Sequence, residues 1–146
     1  MIELGCGVGL PSTIALARGA SVLATDHYEA ALAFARHNAR ANTGRKLRTA
    51  TLDWHAPHLE GLGPFDLVLA ADVLYERRNV AALAALVPDL LAPEGELVLA
   101  DPRRSNAPEF LEAMGSRGFS VVSEEAGVEG AGREVRVLLH RMRRGG

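Results

Sequence analysis

Gly5, Gly7 and Gly9 alternate with single residues directly after Ile2-Glu3-Leu4. Alternating glycines let a backbone turn sharply and approach a ligand where any Cβ would collide. An apolar strand end, a glycine loop and a helix, in that order, make the nucleotide-cradling unit of open α/β sheets. The dinucleotide fingerprint needs its third glycine at position 10, where Leu10 stands; a phosphate-binding P-loop needs Gly-Lys-Ser/Thr, and the only lysine is Lys46. Neither phosphate reading fits. Asp26 follows Gly7 by nineteen positions (26 − 7), close to the ~20-residue spacing at which an acid meets ribose hydroxyls. A carboxylate accepts two hydroxyl hydrogen bonds at once, so a diol is its natural partner; capping of the next helix is the alternative.

Further along, each apolar segment again ends in groups able to do chemistry. Asp53 can accept from an exocyclic amine such as that of adenine, and Trp54 offers a flat face or a backbone N–H beside such a ring, unless it serves only as core. Asp72 and Tyr75 follow the run Phe65–Ala71, where a substrate of an open sheet belongs; helix capping and core packing are their alternatives. His55 and His58 stand three apart, but Pro57 between them disfavours a shared helical face and no third ligand is near. No metal site is expected.

The elements that must position these groups are legible in outline. Pro11–Arg18 reads as a helix closed by Gly19, Ser21–Thr25 as a short strand, and Tyr28–Asn42 as a helix burying Leu32, Ala35 and Ala39. Arg48–Leu52 is a third strand, and Phe65–Ala71, almost continuously apolar, a fourth buried on both faces. Val80, Leu83, Val87 and Leu90 form a helical stripe that Pro88 is expected to kink or end. Leu91–Gly95 reads as a turn, Glu96–Ala100 as strand five, and Asn106 with Glu109 as a reciprocal cap of a helix ending near Gly118. Phe119–Ser123 and Glu134–His140 are two last strands joined by a glycine-rich loop, and the tail after His140 is expected to be solvated and frayed.

Composition bounds the function. The chain has 146 residues, 48% hydrophobic, with a formal charge of −2, which suits one globular domain and makes no electrostatic case for nucleic acid. Charged residues interrupt every apolar run before it reaches a membrane span. Cys6 stands alone, without a disulfide partner or a cysteine metal cluster, and no signal peptide is visible; a cytoplasmic address is the expectation.

The element order β-α-β-α-β-β-α-β-α-β-β, with its strand-end residues, resembles the seven-strand class I S-adenosylmethionine (SAM) methyltransferases. Within that class, Glu3-Leu-Gly-Cys-Gly-Val-Gly-Leu-Pro11, Ala71-Asp-Val-Leu-Tyr75 and Ala100-Asp-Pro-Arg103 are similar to methyltransferase family 16, which includes protein lysine methyltransferases. The resemblance implies a doubly wound, mostly parallel Rossmann-like α/β sheet with a C-terminal antiparallel hairpin, SAM as cofactor and S-adenosylhomocysteine (SAH) as product. It implies that Glu3, Gly5, Cys6, Gly7 and Gly9 form the loop under the methionine portion of SAM. Asp26, with His27 beside it, would hold the ribose, and Asp53 and Trp54 would sit at the adenine. Ala71 and Asp72 would border the methyl donor, and Tyr75 would shape the acceptor pocket, with Asp72 and Tyr75 the catalytic pair. The acceptor implied is an amine, most directly a protein lysine. A small-molecule acceptor, or a catalytically silent SAM-fold module that binds a partner protein, stands as the alternative. The resemblance speaks against nucleic acid: amine methylases of that kind carry Asn/Asp-Pro-Pro-Tyr/Phe after strand four, where Val73 and Leu74 replace both prolines. Family members also have helical sequence before strand one. The chain begins inside that strand, so residues 1–146 are expected to be a single domain lacking that segment.

Overall fold

A computed structural model describes residues 1–130 and 133–145. The elements run β1 (Ile2–Leu4), α1 (Leu10–Ala17), β2 (Leu23–Asp26), α2 (Glu29–Thr43), β3 (Arg48–Thr51), β4 (Phe65–Ala71), α3 (Arg77–Leu90), β5 (Leu91–Asp101), α4 (Ala107–Gly115), β6 (Phe119–Gly130) and β7 (Arg133–Arg144). This is the expected order. The strands form one seven-stranded sheet, β3-β2-β1-β4-β5-β7-β6, parallel through β5 and antiparallel at β7 and β6.

Strand β1 is buried on both sides, whereas β4 departs from that expectation: Val68 and Ala70 are buried on one face, but Leu67, Leu69 and Ala71 on the other are only half-buried. Alternate residues serve different helix layers. Ile2, Leu4, Val68, Ala70, Leu97 and Leu99 join the core packed by Val80, Leu83, Val87 and Leu90 of α3 and by Phe110 and Met114 of α4. Cys6, Val22 and Ala24 belong to a second core with Leu16 of α1 and Leu32, Ala35 and Ala39 of α2. Helix α1 ends in a Schellman turn: Gly19 has φ +89°, its N–H donates to the Leu16 carbonyl, and the Ala20 N–H donates to that of Ala15.

Several local expectations are corrected. Pro88 does not end α3, which continues to Leu90; the Pro88 carbonyl accepts from Arg144 Nη2 at 2.7 Å. The segment Leu91–Gly95 is the first part of β5 rather than a turn, pairing at Phe65↔Leu91 with a register shift before Leu67. A Cβ on Gly95 would come within 2.8 Å of the Phe65 carbonyl, so glycine permits that approach. Asn106 makes no side-chain cap for α4; its Nδ2 donates to the Leu74 carbonyl, and Glu109 pairs with Arg77. The last two strands are much longer than their apolar cores suggested, because the exposed hairpin is held by cross-strand ion pairs such as Arg136–Glu125 at 2.8 Å and Arg141–Glu124 at 3.5 Å. The tip of the expected glycine-rich loop, at residues 131 and 132, lies outside the described residues, as does Gly146. The basic tail is not frayed. Met142 is fully buried, Arg141 and Arg143 pair with Glu96, and Arg144 lies 5.3 Å from the Phe119 ring centroid.

Gly9, the residue before α1, lies directly against Ala35 of α2. It has φ +78°, and a Cβ there would stand 2.6 Å from the Ala35 Cβ. Gly9→Ala is therefore expected to destabilise the chain by about 2–4 kcal/mol, combining left-handed strain with overpacking. Urea unfolding checks this, and adding Ala35→Gly is expected to recover only the steric share.

Candidate functional site

The strand order reverses between β1 and β4. Their C-terminal ends lead into the loops 5–9 and 72–76, and a cleft of about 610 Å³ opens there, within the range of small-molecule sites. Gly5, Gly7, Asp26, His27, Asp53, Trp54, Asp72 and Tyr75 all line it. These residues come from the ends of four strands, and the fold brings them to one wall.

The glycine loop is shaped by hydrogen bonds from both sides. The Cys6 N–H donates to the Thr25 carbonyl at 2.8 Å, the Gly9 N–H to the Cys6 carbonyl at 2.8 Å, and Asn38 Nδ2 of α2 to the Val8 carbonyl at 2.9 Å. Gly5 has φ +66°, and a Cβ there would meet the Trp54 ring at 2.9 Å. Gly7 also has a left-handed backbone, with nothing within 4 Å of its Cβ position; it stands open to the cleft.

Asp26 links this loop to the end of β2. Its Oδ2 accepts the Gly7 N–H at 2.9 Å and its Oδ1 the Tyr28 N–H at 3.0 Å. It does not cap α2, which starts at Glu29 after an extended Tyr28. Each oxygen keeps a second lone pair, which suits a vicinal diol. Asp53 Oδ1 accepts the His55 N–H at 2.9 Å, and Oδ2 lies 3.8 Å from His27 Nδ1. Trp54 takes both roles the sequence left open: it packs on the main core and lines the cleft beside Leu52. Its indole N–H is buried without a partner among the described residues.

Glu3, Cys6, Gly9 and Ala71 are not in the cleft wall. Glu3 is 1% exposed and faces α1, where Oε2 accepts the Ser12 N–H at 3.0 Å and the Ser12 hydroxyl. It braces the first turn of that helix, whose free N–H groups favour a carboxylate. Burial pushes its carboxyl up to about 7, against the two Ser12 hydrogen bonds. Burial, with the charges of Glu3 and Asp26, pushes the Cys6 thiol up to about 12, so it stands as an inert thiol.

Asp72 has φ +56°, a left-handed backbone outside glycine. The segment after it is tied down by two side-chain amides: buried Asn79 donates through Nδ2 to the Val73 carbonyl at 3.0 Å, and half-buried Asn106 donates through Nδ2 to the Leu74 carbonyl at 2.8 Å. The Asp72 carboxylate receives Arg104 Nε at 2.6 Å and Nη2 at 2.7 Å. Arg104, Asn79 and Asn106 were missed as site residues. Asn79 had one local signal, a polar residue beside the apolar stripe of α3; Arg104 had its place at the Asp101-Pro-Arg-Arg104 strand end, but no local feature pointed to Asp72, thirty-two positions away. No cluster of three or more metal-ligating side chains exists among the described residues, and no helix is long and apolar enough to cross a membrane.

The profile of a family described as lysine methyltransferase matches residues 1–117. The chain is 33% identical over 107 residues to mouse EEF1A lysine methyltransferase 3, covering 72% of this chain and 46% of that protein. It is 32% identical over 126 residues to mouse protein N-lysine methyltransferase METTL21A, covering 82% and 57%. The chain thus spans about half the length of the curated relatives it matches. Its fold superposes on magnesium protoporphyrin IX methyltransferase from Synechocystis with bound SAM, with a TM-score of 0.74 at 23% identity, covering 97% of this chain and 68% of that one.

The buried Glu3 leads to a pH prediction. Its folded value, about 7, lies above its unfolded value of 4.5, so the native state binds the proton more tightly. Glu3's contribution to stability is then fully present below pH 4.5, is lost between pH 4.5 and 7, and is constant above. Glu3→Gln is expected to remove a drop of about 3 kcal/mol across that window. Urea unfolding of both proteins at pH 4.5 and pH 8 checks this; parallel profiles would contradict it.

Proposed function

The chain belongs to the lysine methyltransferase family, and we propose that it transfers a methyl group from SAM to an amine, with a protein lysine as the acceptor. SAM is the cofactor of this family. The observation that carries the reading is the meeting of Gly5, Gly7, Asp26, Asp53, Trp54, Asp72 and Tyr75 on one cleft wall at the reversal of strand order.

The wall's chemistry fits the cofactor. Gly5 and Gly7 leave room for close backbone approach, and the second lone pairs of Asp26 suit the ribose diol. Leu52 and Trp54 offer apolar surface for the adenine, with Asp53 at its edge to accept from the exocyclic amine. SAM, when bound, supplies an electrophilic methyl group and a neutral thioether leaving group. What remains for the chain is positioning. Tyr75, 56% exposed at the mouth, walls the acceptor entrance, and Asp72 orients the incoming amine. The strained backbone of Asp72, held through Asn79 and Asn106, keeps that carboxylate aimed along the cleft edge. The amine must give its proton to solvent before its lone pair is available.

Heating the 146-residue chain with SAH tests the cofactor, with NADH as control. At a hundred times its dissociation constant SAH adds about 2.7 kcal/mol, which is expected to raise the melting point by roughly 5–10 °C. NADH is expected to leave it unchanged; an equal shift with NADH would overturn the reading. Asp72→Ala is expected to lower turnover of a lysine-bearing protein by about a hundredfold with SAH affinity little changed, as lost orientation does. Equal losses in both would remove Asp72 from the acceptor side. The acceptor class is read by acid hydrolysis of the methylated product: N-methyl-lysine supports it, and label confined to small molecules contradicts it.

A further inference from the structure

The residues beyond β4 carry many charges, and three carboxylates near the cleft, Asp72, Glu76 and Glu109, each have an arginine partner. Asp72 is gripped by Arg104 through two parallel hydrogen bonds of 2.6 and 2.7 Å. Glu76 pairs with Arg78 through Nε, and Glu109 with Arg77 at 3.0 Å. Arg104 is itself located by a fixed acid: its N–H donates at 2.9 Å to Oδ1 of Asp101, which is 1% exposed at the end of β5. A fork–fork guanidinium–carboxylate pair has geometric specificity as well as charge. Asp72 therefore does not face the cleft as a free anion.

This matters because methyl transfer needs an unprotonated amine. A lysine amine has an ordinary pKa of about 10.4. A free carboxylate within a few ångströms would stabilise the ammonium and hold its proton on, opposing the reaction. The same carboxylate with its charge cancelled still offers an oxygen lone pair to orient an N–H.

We propose that Arg104 is a specificity-determining positioning residue: by gripping both oxygens of Asp72 it cancels that charge, so the acceptor end receives a neutral amine rather than an ammonium ion. The proposal rests on the methyl-transfer reading and deepens it by stating the charge state in which the acceptor is held.

The test is the selectivity of the cleft for a cation over a neutral molecule of the same shape. Binding of n-butylammonium and of n-butanol to the full chain is followed by NMR titration at pH 7, with and without SAH. In the wild type the cation is expected to bind no more tightly than the alcohol. Arg104→Gln frees Asp72 and is expected to strengthen n-butylammonium binding about threefold to fivefold, the size of an exposed ion pair, with n-butanol unchanged. Arg104→Lys, which keeps the charge, is expected to restore the wild-type ratio. A wild-type preference for the cation would overturn the proposal, as would equal changes for both probes in Arg104→Gln. Should Arg104→Gln not fold, Asp72→Asn carries the comparison: Arg104 is then left positive, so the cation is expected to weaken about threefold and the alcohol to hold. No change in that ratio also overturns the proposal. The SAH titration fails or succeeds separately. Absent SAH binding overturns the cofactor reading, while the probe ratio is still read on the SAH-free chain from the amide shifts of residues 72–76, apart from the separate carboxylates Asp26 and Asp53.

Discussion

Two parallel strands, β1 and β4, lie side by side in the middle of the sheet, and the chain leaves them toward opposite faces. After β1 it turns to α1 and the layer shared with α2; after β4 it turns to α3 and the layer shared with α4. Parallel pairing brings both C-terminal ends to the same edge, and the opposite exits leave a gap between them that no side chain fills. The cleft follows from that constraint. The glycine loop becomes its floor because β1 ends there, and Asp72 becomes its rim because β4 ends beside it in register, with Leu4 opposite Ala70.

Polar groups then hold the two loops in shapes that packing alone would not select. On the β1 side, Asp26 reaches across to the Gly7 amide and Glu3 reaches forward to Ser12. Glu3 is the more demanding of the two, because a carboxylate buried this deeply must lose solvation to do its work. Its raised pKa reflects that conflict. A carboxamide would satisfy the same Ser12 N–H without the charge, so the brace does not require ionisation. On the β4 side, Asn79 of α3 and Asn106, the residue before α4, occupy the carbonyls of Val73 and Leu74. Buried backbone groups need partners, and supplying them from the first turn of α3 and from the residue before α4 ties this rim to the larger core.

The charges at that rim show a division of labour between elements distant in sequence. Asp72 comes from the end of β4, and the arginine that grips it from the end of β5. These strands are neighbours in the sheet, paired at Ala71↔Ala100. The same adjacency lets Asp101 hold the Arg104 backbone while its side chain points away to Asp72. With Asp72, Glu76 and Glu109 each paired to an arginine, this side of the cleft carries little net charge of its own.

What the sequence alone determined was local in character. Apolar runs and glycine breaks set the eleven elements in their order, and the strand-end positions of Asp26, Asp53, Asp72 and Tyr75 pointed to one sheet edge, because such signals reside in neighbouring residues. Proximity in sequence also misled. Asn106 and Glu109 had the spacing of a cap, yet both side chains were claimed by other elements. Arg141, Arg143 and Arg144 read as a solvated tail until Glu96, Phe119 and the Pro88 carbonyl, far away in the chain, gave them partners. Tertiary structure alone decided that Glu3 supports the loop from behind rather than facing the cleft, and that Trp54 is both core and wall. It alone put Arg104 on Asp72. Which of a side chain's feasible partners it takes depends on the strand order and register, and no short stretch of sequence carries those.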